Sequence, residues 1–541
     1  MQKIIYSKII LFLGTATVFL SSYFQFDNEK VYIDSEYILS LDPCQSILSH
    51  LNSFNPNSFL PEPYLWYTTY INPGTLSMCL FNINWSMAIP IVLATIFIFS
   101  FLFIEGRIKN SIMTMSLSLF AIFNAYVFTT VHSTLSVFLF SYLAIFMSLY
   151  FFSKEEGIFT YLGLAISGLL LSPINPPISI ISIMSICVGL YISCVEISLK
   201  NYLIKKIKSI IIFGLFFTLT CIPMVIHFSA LSKKTVEEFR QEDYRITNQR
   251  SSYLNVFSGN SLWSLGYSYK GKPAFAFQDT LNSLSAVSIN IVILCVYLTV
   301  ILLFKNKKNT LSLVIFIITV PFIVGVKEGF FSDAYKTLVD GSAFFTIFRN
   351  GYKLMPLLYI LFLSTLIYNF DRLNYKQRVA ISIIFLSSSA LFFSLLVIDK
   401  SLVSKDRELL IPKEYISKPK ALPRGSSILI LPPQYHTVFK WGITGADPES
   451  LWGVRIISRK PSLVPTDNNN FYDSLKNIIF TNQDLKKLKD LPLDYVLYRK
   501  KYDLDYYPQF KDYSFEEFKK TDLYKNCNLA EDNQEFIICK I

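Results

Sequence analysis

Residues 86–105 read SMAIPIVLATIFIFSFLFIE, residues 106–110 GRIKN, and residues 111–131 SIMTMSLSLFAIFNAYVFTTV. Two apolar runs of about 20 residues are divided by five residues holding one Arg and one Lys. At 1.5 Å per helical residue, each run is long enough to cross ~30 Å of hydrocarbon. This is the pattern of a helical hairpin in a bilayer, and it recurs. Further runs lie at 4–24, 134–152, 158–172, 178–197, 209–228, 284–304, 310–326, 353–370 and 379–399, which predicts about eleven spans. The run at 158–172 is the weakest of them. The first run follows Lys3 and Lys8 and exits through Ser21-Ser22-Tyr23-Phe24, with no small-x-small cleavage site, so it reads as an uncleaved span rather than a signal peptide.

Composition agrees. Of 541 residues, 52% are hydrophobic and 16% charged, where a soluble chain carries roughly 25% charged residues. The 48 Phe and 33 Tyr suit a bilayer interface lined by aromatic rings. The net charge of +11 does not indicate nucleic acid, because most Lys and Arg sit in short clusters between apolar runs. Those clusters fix an orientation. With the N-terminus cytoplasmic, the inner loops hold Arg107 and Lys109, Lys154, Lys200 to Lys208, Lys305 to Lys308, and Arg372 to Arg378. The short outer turns at His132-Ser133 and Pro173–Pro177 hold neither Lys nor Arg, as the positive-inside rule requires.

The expected architecture is therefore an α-helical polytopic membrane domain over 1–399, with outer loops at 25–85, 229–283 and 327–352, and a soluble, non-cytoplasmic α/β domain over 400–541. In the latter, Ser427–Leu431 is strand-like and stops at Pro432-Pro433, Leu493–Tyr498 and Glu535–Ile541 read as further strands, and Ser514-Phe-Glu-Glu517 has the spacing of a capping box. Cys187, Cys194, Cys221 and Cys295 lie within spans, where packing is their role. Cys44 with Cys79, and Cys527 with Cys539, are candidates for two outer disulfides; the alternative is four free thiols. No cysteine or histidine spacing is that of a zinc site.

The first outer loop carries the candidate chemistry. It runs VYIDSEYILSLDP at 31–43 and HLNSFNPNSFLPEPYLWYTTYINPG at 50–74, placing Asp34, Glu36 and Asp42 just beyond the first span. A carboxylate at a membrane surface can act as general base toward a sugar hydroxyl, or can hold a divalent metal through oxygen. The plainer alternative is three solvated loop acids.

This layout resembles the GT-C class of membrane glycosyltransferases. Within that class it is similar to the N-terminal membrane region of the arabinofuranosyltransferase-like family. Asp34-Ser35-Glu36 stands where that family has Asp-Thr-Lys, Leu41-Asp42-Pro43 where it has Leu-Asp-Pro, and Phe54-Asn55-Pro56 where it has Trp-Asp-Pro. Glu36 and Asn55 are departures, and Tyr70–Gly74 only loosely echoes the family's Gly-Tyr-Leu-Phe-Pro step. LWSLGYSYKGKPAF at 262–275, containing Trp263, is similar to an outer loop of the family, and FRNGYK at 348–353 to an Arg/Lys element before a late span. The resemblance implies a polyprenyl-phosphate sugar donor and a glycan or glycoconjugate acceptor, used at the outer face of the cell membrane. It implies Asp34 as base, with Glu36 second, and Asp42, Trp263, Arg349 and Lys353 in substrate binding. Arg349 or Lys353 would meet the donor phosphate, a guanidinium as a planar fork and an ammonium as a point charge. No cofactor is implied, and a divalent metal is left open.

Other signals carry plainer readings. His132 can reach a headgroup phosphate or simply sit at the interface, and the aromatics of Gln434–His436 and Lys440–Gly442 can stack on sugar or merely line a loop. A lipid-linked glycan flippase or transporter is the main alternative function. The spans hold almost no ionisable groups, which argues against an ion-coupled pump. A glycan polymerase or ligase of another fold, and a non-catalytic membrane scaffold, are the others.

Overall fold

The computed structural model describes residues 2–23, 79–80, 85–132, 136–171, 176–194, 198–230, 253, 256, 268–269, 272–273, 283–324, 333–334, 337, 351–397, 412–416, 419–423, 426–432, 437–439, 442–444, 452, 455–456, 477–481, 493–502, 504 and 512–541. The helices and the C-terminal sheet belong to separate compact units.

The helical unit opens with α1 (Gln2–Tyr23), α2 (Trp85–Glu105), α3 (Ser111–Ile122), α4 (Ala125–His132) and α5 (Ser136–Ser153). It continues through α6 (Ile158–Leu170), α7 (Pro176–Cys194), α8 (Leu199–Lys205) and α9 (Ile207–Ala230). After a short antiparallel strand pair, β1 (Ser268–Tyr269) and β2 (Lys272–Pro273), come α10 (Leu284–Leu303), α11 (Lys307–Val324), α12 (Met355–Asn369) and α13 (Tyr375–Val397). Each apolar run in the sequence thus coincides with a helix. Among the described residues, seven helical stretches are long and apolar enough to cross a membrane, or eight if the bent pair α7 and α8 is one span. Among the described residues the predicted count of about eleven is not confirmed. Among the helices at predicted spans, α6, the weak run at 158–172, has only 13 residues, while α5 and α9 have 18 and 24.

Polar side chains set several helix starts. Asn110 caps α3 by accepting from the Met113 N–H at 3.0 Å, and Ser283 caps α10 by accepting from the Ala286 N–H at 3.3 Å. Such caps satisfy N–H groups that a helix terminus leaves open. The span that contains α3 and α4 is broken. Asn124 bridges the break: its amide donates to the Phe120 and Ala121 carbonyls at 2.8 and 3.1 Å, and its oxygen accepts from the Val127 N–H at 3.0 Å. A break at membrane depth needs such substitutes, because lipid offers no hydrogen bonds.

The core of the unit is α12. Every residue of it except Phe362 and Tyr368 is buried, and it packs against α7, α10 and α11. Tyr359 of α12 also lies 5.6 Å ring to ring from Phe120 of α3. Polar ties join α12 to α11. Ser312 and Thr365 share a hydrogen bond at 2.8 Å, the Asn369 amide donates to Asn309 at 2.9 Å, and Tyr297 of α10 joins Ser312 at 2.8 Å. By contrast, α1, α9 and α11 leave large apolar side chains exposed, among them Phe12, Ile211, Leu215 and Ile318. Exposed apolar surface on this scale belongs against lipid, and the protein is an integral membrane protein. Close approach of α6 to α9 depends on Gly168, where a Cβ would stand 2.7 Å from the Phe213 carbonyl oxygen. Small residues at such crossings let membrane helices pack by contact alone.

In the C-terminal unit, β3 (Ser427–Leu431), β6 (Arg455–Ile456), β7 (Tyr495–Arg499), β8 (Asn528–Asp532) and β9 (Phe536–Lys540) form a mixed sheet in the order β6-β3-β7-β9-β8. β3 runs parallel to β6 and β7, while β9 is antiparallel to β7 and β8. A separate antiparallel pair is formed by β4 (Thr437–Phe439) and β5 (Gly442–Thr444). All five residues of β3 and of β7 are buried, the mark of strands covered on both faces. Leu429, Leu431, Val496, Tyr498, Tyr513 and Phe518 form one core cluster, and Tyr415, Trp452 and Phe536 stack in another. Burial pushes the Tyr498 phenol above its ordinary pKa, and its hydroxyl donates to the Tyr513 carbonyl at 2.6 Å. Ser514 caps the short helix α15 (Phe515–Lys520) as its spacing predicts, α14 being Lys413–Ile416. Cys527 and Cys539 form a disulfide across the β8–β9 hairpin. Cys79 is also disulfide-bonded, while its candidate partner Cys44 lies outside the described residues.

Candidate functional site

A single turn of 3-10 helix, Gly351–Leu354, leads directly into α12 and carries Lys353. It packs against α7 and α11. Its anchor is Tyr352, whose side chain is 1% exposed. The Tyr352 hydroxyl shares a hydrogen bond with Thr130 Oγ1 at 2.8 Å and donates to the Tyr126 carbonyl at 3.1 Å, both on α4. The Tyr352 and Tyr126 rings lie 5.4 Å apart, Tyr142 of α5 meets Tyr126 edge-on at 5.4 Å, and Tyr359 approaches it at 6.3 Å. Tyr352 thus meets the ring of Tyr126, which in turn touches Tyr142 of α5 and Tyr359 of α12. A phenol buried in an apolar bundle must find an acceptor or pay for its lost water. Tyr352 finds two groups on a helix more than two hundred residues earlier in the chain.

Lys353 is half-buried at this seat. It is the one residue of the predicted site that the described residues include. Asp34, Glu36, Asp42, Trp263 and Arg349 lie outside them, as do Gln434–His436 and Lys440-Trp441. The stretch at 262–275 is described only where β1 and β2 pair, with Ser268 opposite Pro273 and Tyr269 opposite Lys272. His132 closes α4, two residues beyond Thr130.

Sequence reading passed over Tyr126, Thr130, Tyr142, Tyr352 and Tyr359. The available signal was the recurrence of tyrosine within apolar runs. Which tyrosine meets which helix depends on tertiary packing that no local pattern encodes.

The class this fold defines is a polytopic membrane protein built around one largely buried late helix, with a small mixed-sheet unit. Its fold is similar to that of a solved enzyme, the arabinofuranosyltransferase AftD from mycobacteria, seen by cryo-electron microscopy. The TM-score is 0.52 at 12% identity, covering 91% of this chain and 35% of that one. A structure of a mutant AftD gives a TM-score of 0.42 at 12% identity, with 91% and 37% covered. The chain thus spans about a third of the length of the structures it resembles. No family model and no curated protein matches the sequence. The resemblance to the arabinofuranosyltransferase-like family is thus borne out at the level of the fold.

Proposed function

We propose that the protein is a membrane glycosyltransferase that moves a sugar from a polyprenyl-phosphate donor to a glycan or glycoconjugate acceptor at the outer face of the membrane. One observation carries this reading: the likeness of fold to an arabinofuranosyltransferase extends over 91% of the chain. Asp34 takes the proton of an acceptor hydroxyl, the oxygen attacks the anomeric carbon, and the polyprenyl phosphate leaves with the bonding electron pair. A single displacement inverts the anomeric centre. Glu36 is the second candidate for the base. Asp42 and Trp263 would contact the sugars, and Arg349 and Lys353 would meet the donor phosphate. A cation beside that oxygen stabilises the charge that develops as the bond breaks.

The test is transfer of labelled sugar from a panel of polyprenyl-phosphate sugars by purified protein, wild type beside Asp34→Ala. Loss of a general base costs on the order of 10²- to 10⁴-fold, so the variant is expected to be nearly inert with an unchanged melting temperature. Equal transfer by both proteins would remove Asp34 from the mechanism. An inert wild type would turn the reading toward a flippase or a scaffold. Adding a chelator separates the two roles open to the loop acids, because a base works without a divalent ion.

A further inference from the structure

The proposed reading gives Lys353 a ligand but does not say what fixes the position of its ammonium. Lysine is a point charge on a flexible stem, so the place of its backbone decides which phosphate it can reach. On the C-terminal side that backbone runs straight into α12, which packing holds on nearly every face. On the N-terminal side the neighbouring residue is Tyr352, buried and bonded to Thr130 and to the Tyr126 carbonyl.

We infer that Tyr352 is a positioning residue for donor binding: its hydroxyl, held by α4, fixes the Gly351–Leu354 turn and thereby sets where Lys353 presents charge to a lipid-linked phosphate. This rests on the proposed function for the identity of the ligand, and on the turn's own geometry for everything else. The Tyr352 ring packs against Tyr126 at 5.4 Å, and the hydroxyl adds two hydrogen bonds to α4 on top of that packing. The hydroxyl supplies direction. In a water-poor bundle, letting go of both partners would leave a buried phenol unsatisfied, so the turn has one favoured seat. The same contact couples the turn to α4, whose last residue is His132.

A double-mutant cycle on the full-length protein in detergent tests this. Binding of farnesyl monophosphate is titrated by native mass spectrometry, with farnesol as the uncharged control. Lys353→Ala is expected to weaken binding of the phosphate but not of farnesol. Tyr352→Phe, which keeps the ring, and Thr130→Val, which removes the bond from the other side, should each weaken phosphate binding about five- to tenfold, the scale of one hydrogen bond. Neither should weaken it further once Lys353 is alanine, since residues acting through one group are non-additive. Wild-type affinity in Tyr352→Phe, or effects that add in full to Lys353→Ala, would overturn the inference and leave the proposed function standing. So would unfolding of both hydroxyl variants, which would make the contact structural only. A wild type that binds farnesyl monophosphate no better than farnesol would remove the donor reading, and this inference with it.

Discussion

Asn124 shows how much one side chain can carry in a bilayer. It is fully buried, and its three hydrogen bonds serve the end of α3 and the start of α4 together. Replacing an N-cap asparagine by alanine costs about 0.5–2 kcal/mol, and here the carbonyls of Phe120 and Ala121 lose a donor as well. Asn124→Ala is expected to fall at the upper end of that range, read as a lower midpoint in thermal unfolding in detergent. A variant that melts with the wild type would mean that water, or a shifted backbone, takes over the bonds. In the sequence Asn124 is legible only as one polar residue inside an apolar run. That it ends one helix and begins the next follows from backbone angles at Phe123 that composition does not record. The lysines show a similar division. Lys308 is visible as part of a basic loop, yet its ammonium donates to the Ile192 carbonyl at 2.9 Å, at the C-terminal end of α7. A cation there also meets the negative end of the helix dipole.

Among the elements, the β8–β9 hairpin has the clearest covalent support. The Cys527–Cys539 bond closes a 12-residue separation and sits one strand away from β7. Closing a loop of this size restricts the unfolded chain by about 3 kcal/mol in the chain-entropy account. Replacing both cysteines by serine is therefore expected to loosen the sheet unit, seen as faster cleavage by a low level of protease. Equal cleavage rates with and without the bond would show that the sheet core alone holds the hairpin. The strands themselves were readable, since β3, β7 and β9 are runs of Ile, Leu, Val and Tyr bounded by turn residues. The short strands β4, β5 and β6 were not, having only two or three residues each. Helix positions were legible throughout from apolar runs. Their lengths were less so, because α6 has 13 residues and α3 and α4 divide one run between them. Hydrophobicity marks what can lie in lipid, but the break in a helix is decided by capping and by neighbours.

At the scale of the whole molecule, two independent features bear on orientation. Basic residues collect at 107–109, 200–208, 305–308 and 372–378, at the ends of and between the apolar helices, which favours the cytoplasm for those segments. The disulfide at Cys527–Cys539 needs an oxidising compartment, which favours the outside for the sheet unit. Protease added to intact cells is accordingly expected to remove an epitope tag placed after Ile541, while sealed inside-out vesicles protect it. Protection in cells and loss in vesicles would reverse the assignment and move the proposed chemistry to the other face. The candidate site rests on resemblance, carried by short stretches such as Leu41-Asp42-Pro43, and apart from Lys353 its residues lie outside the described ones. The part that geometry adds, Tyr352 on Thr130, joins residues 222 apart and leaves no trace in any local window. That long reach has a consequence for biogenesis. Among the described residues, the stretch holding α12 is the most buried of the candidate spans, yet α1 to α11 precede it in the chain. Helices delivered to the membrane in chain order bring Tyr352, Thr365 and Asn369 late to Thr130, Ser312 and Asn309. The hydrogen bonds that tie Thr130 to Tyr352 and Asn309 to Asn369 can therefore form only once this late segment has been inserted.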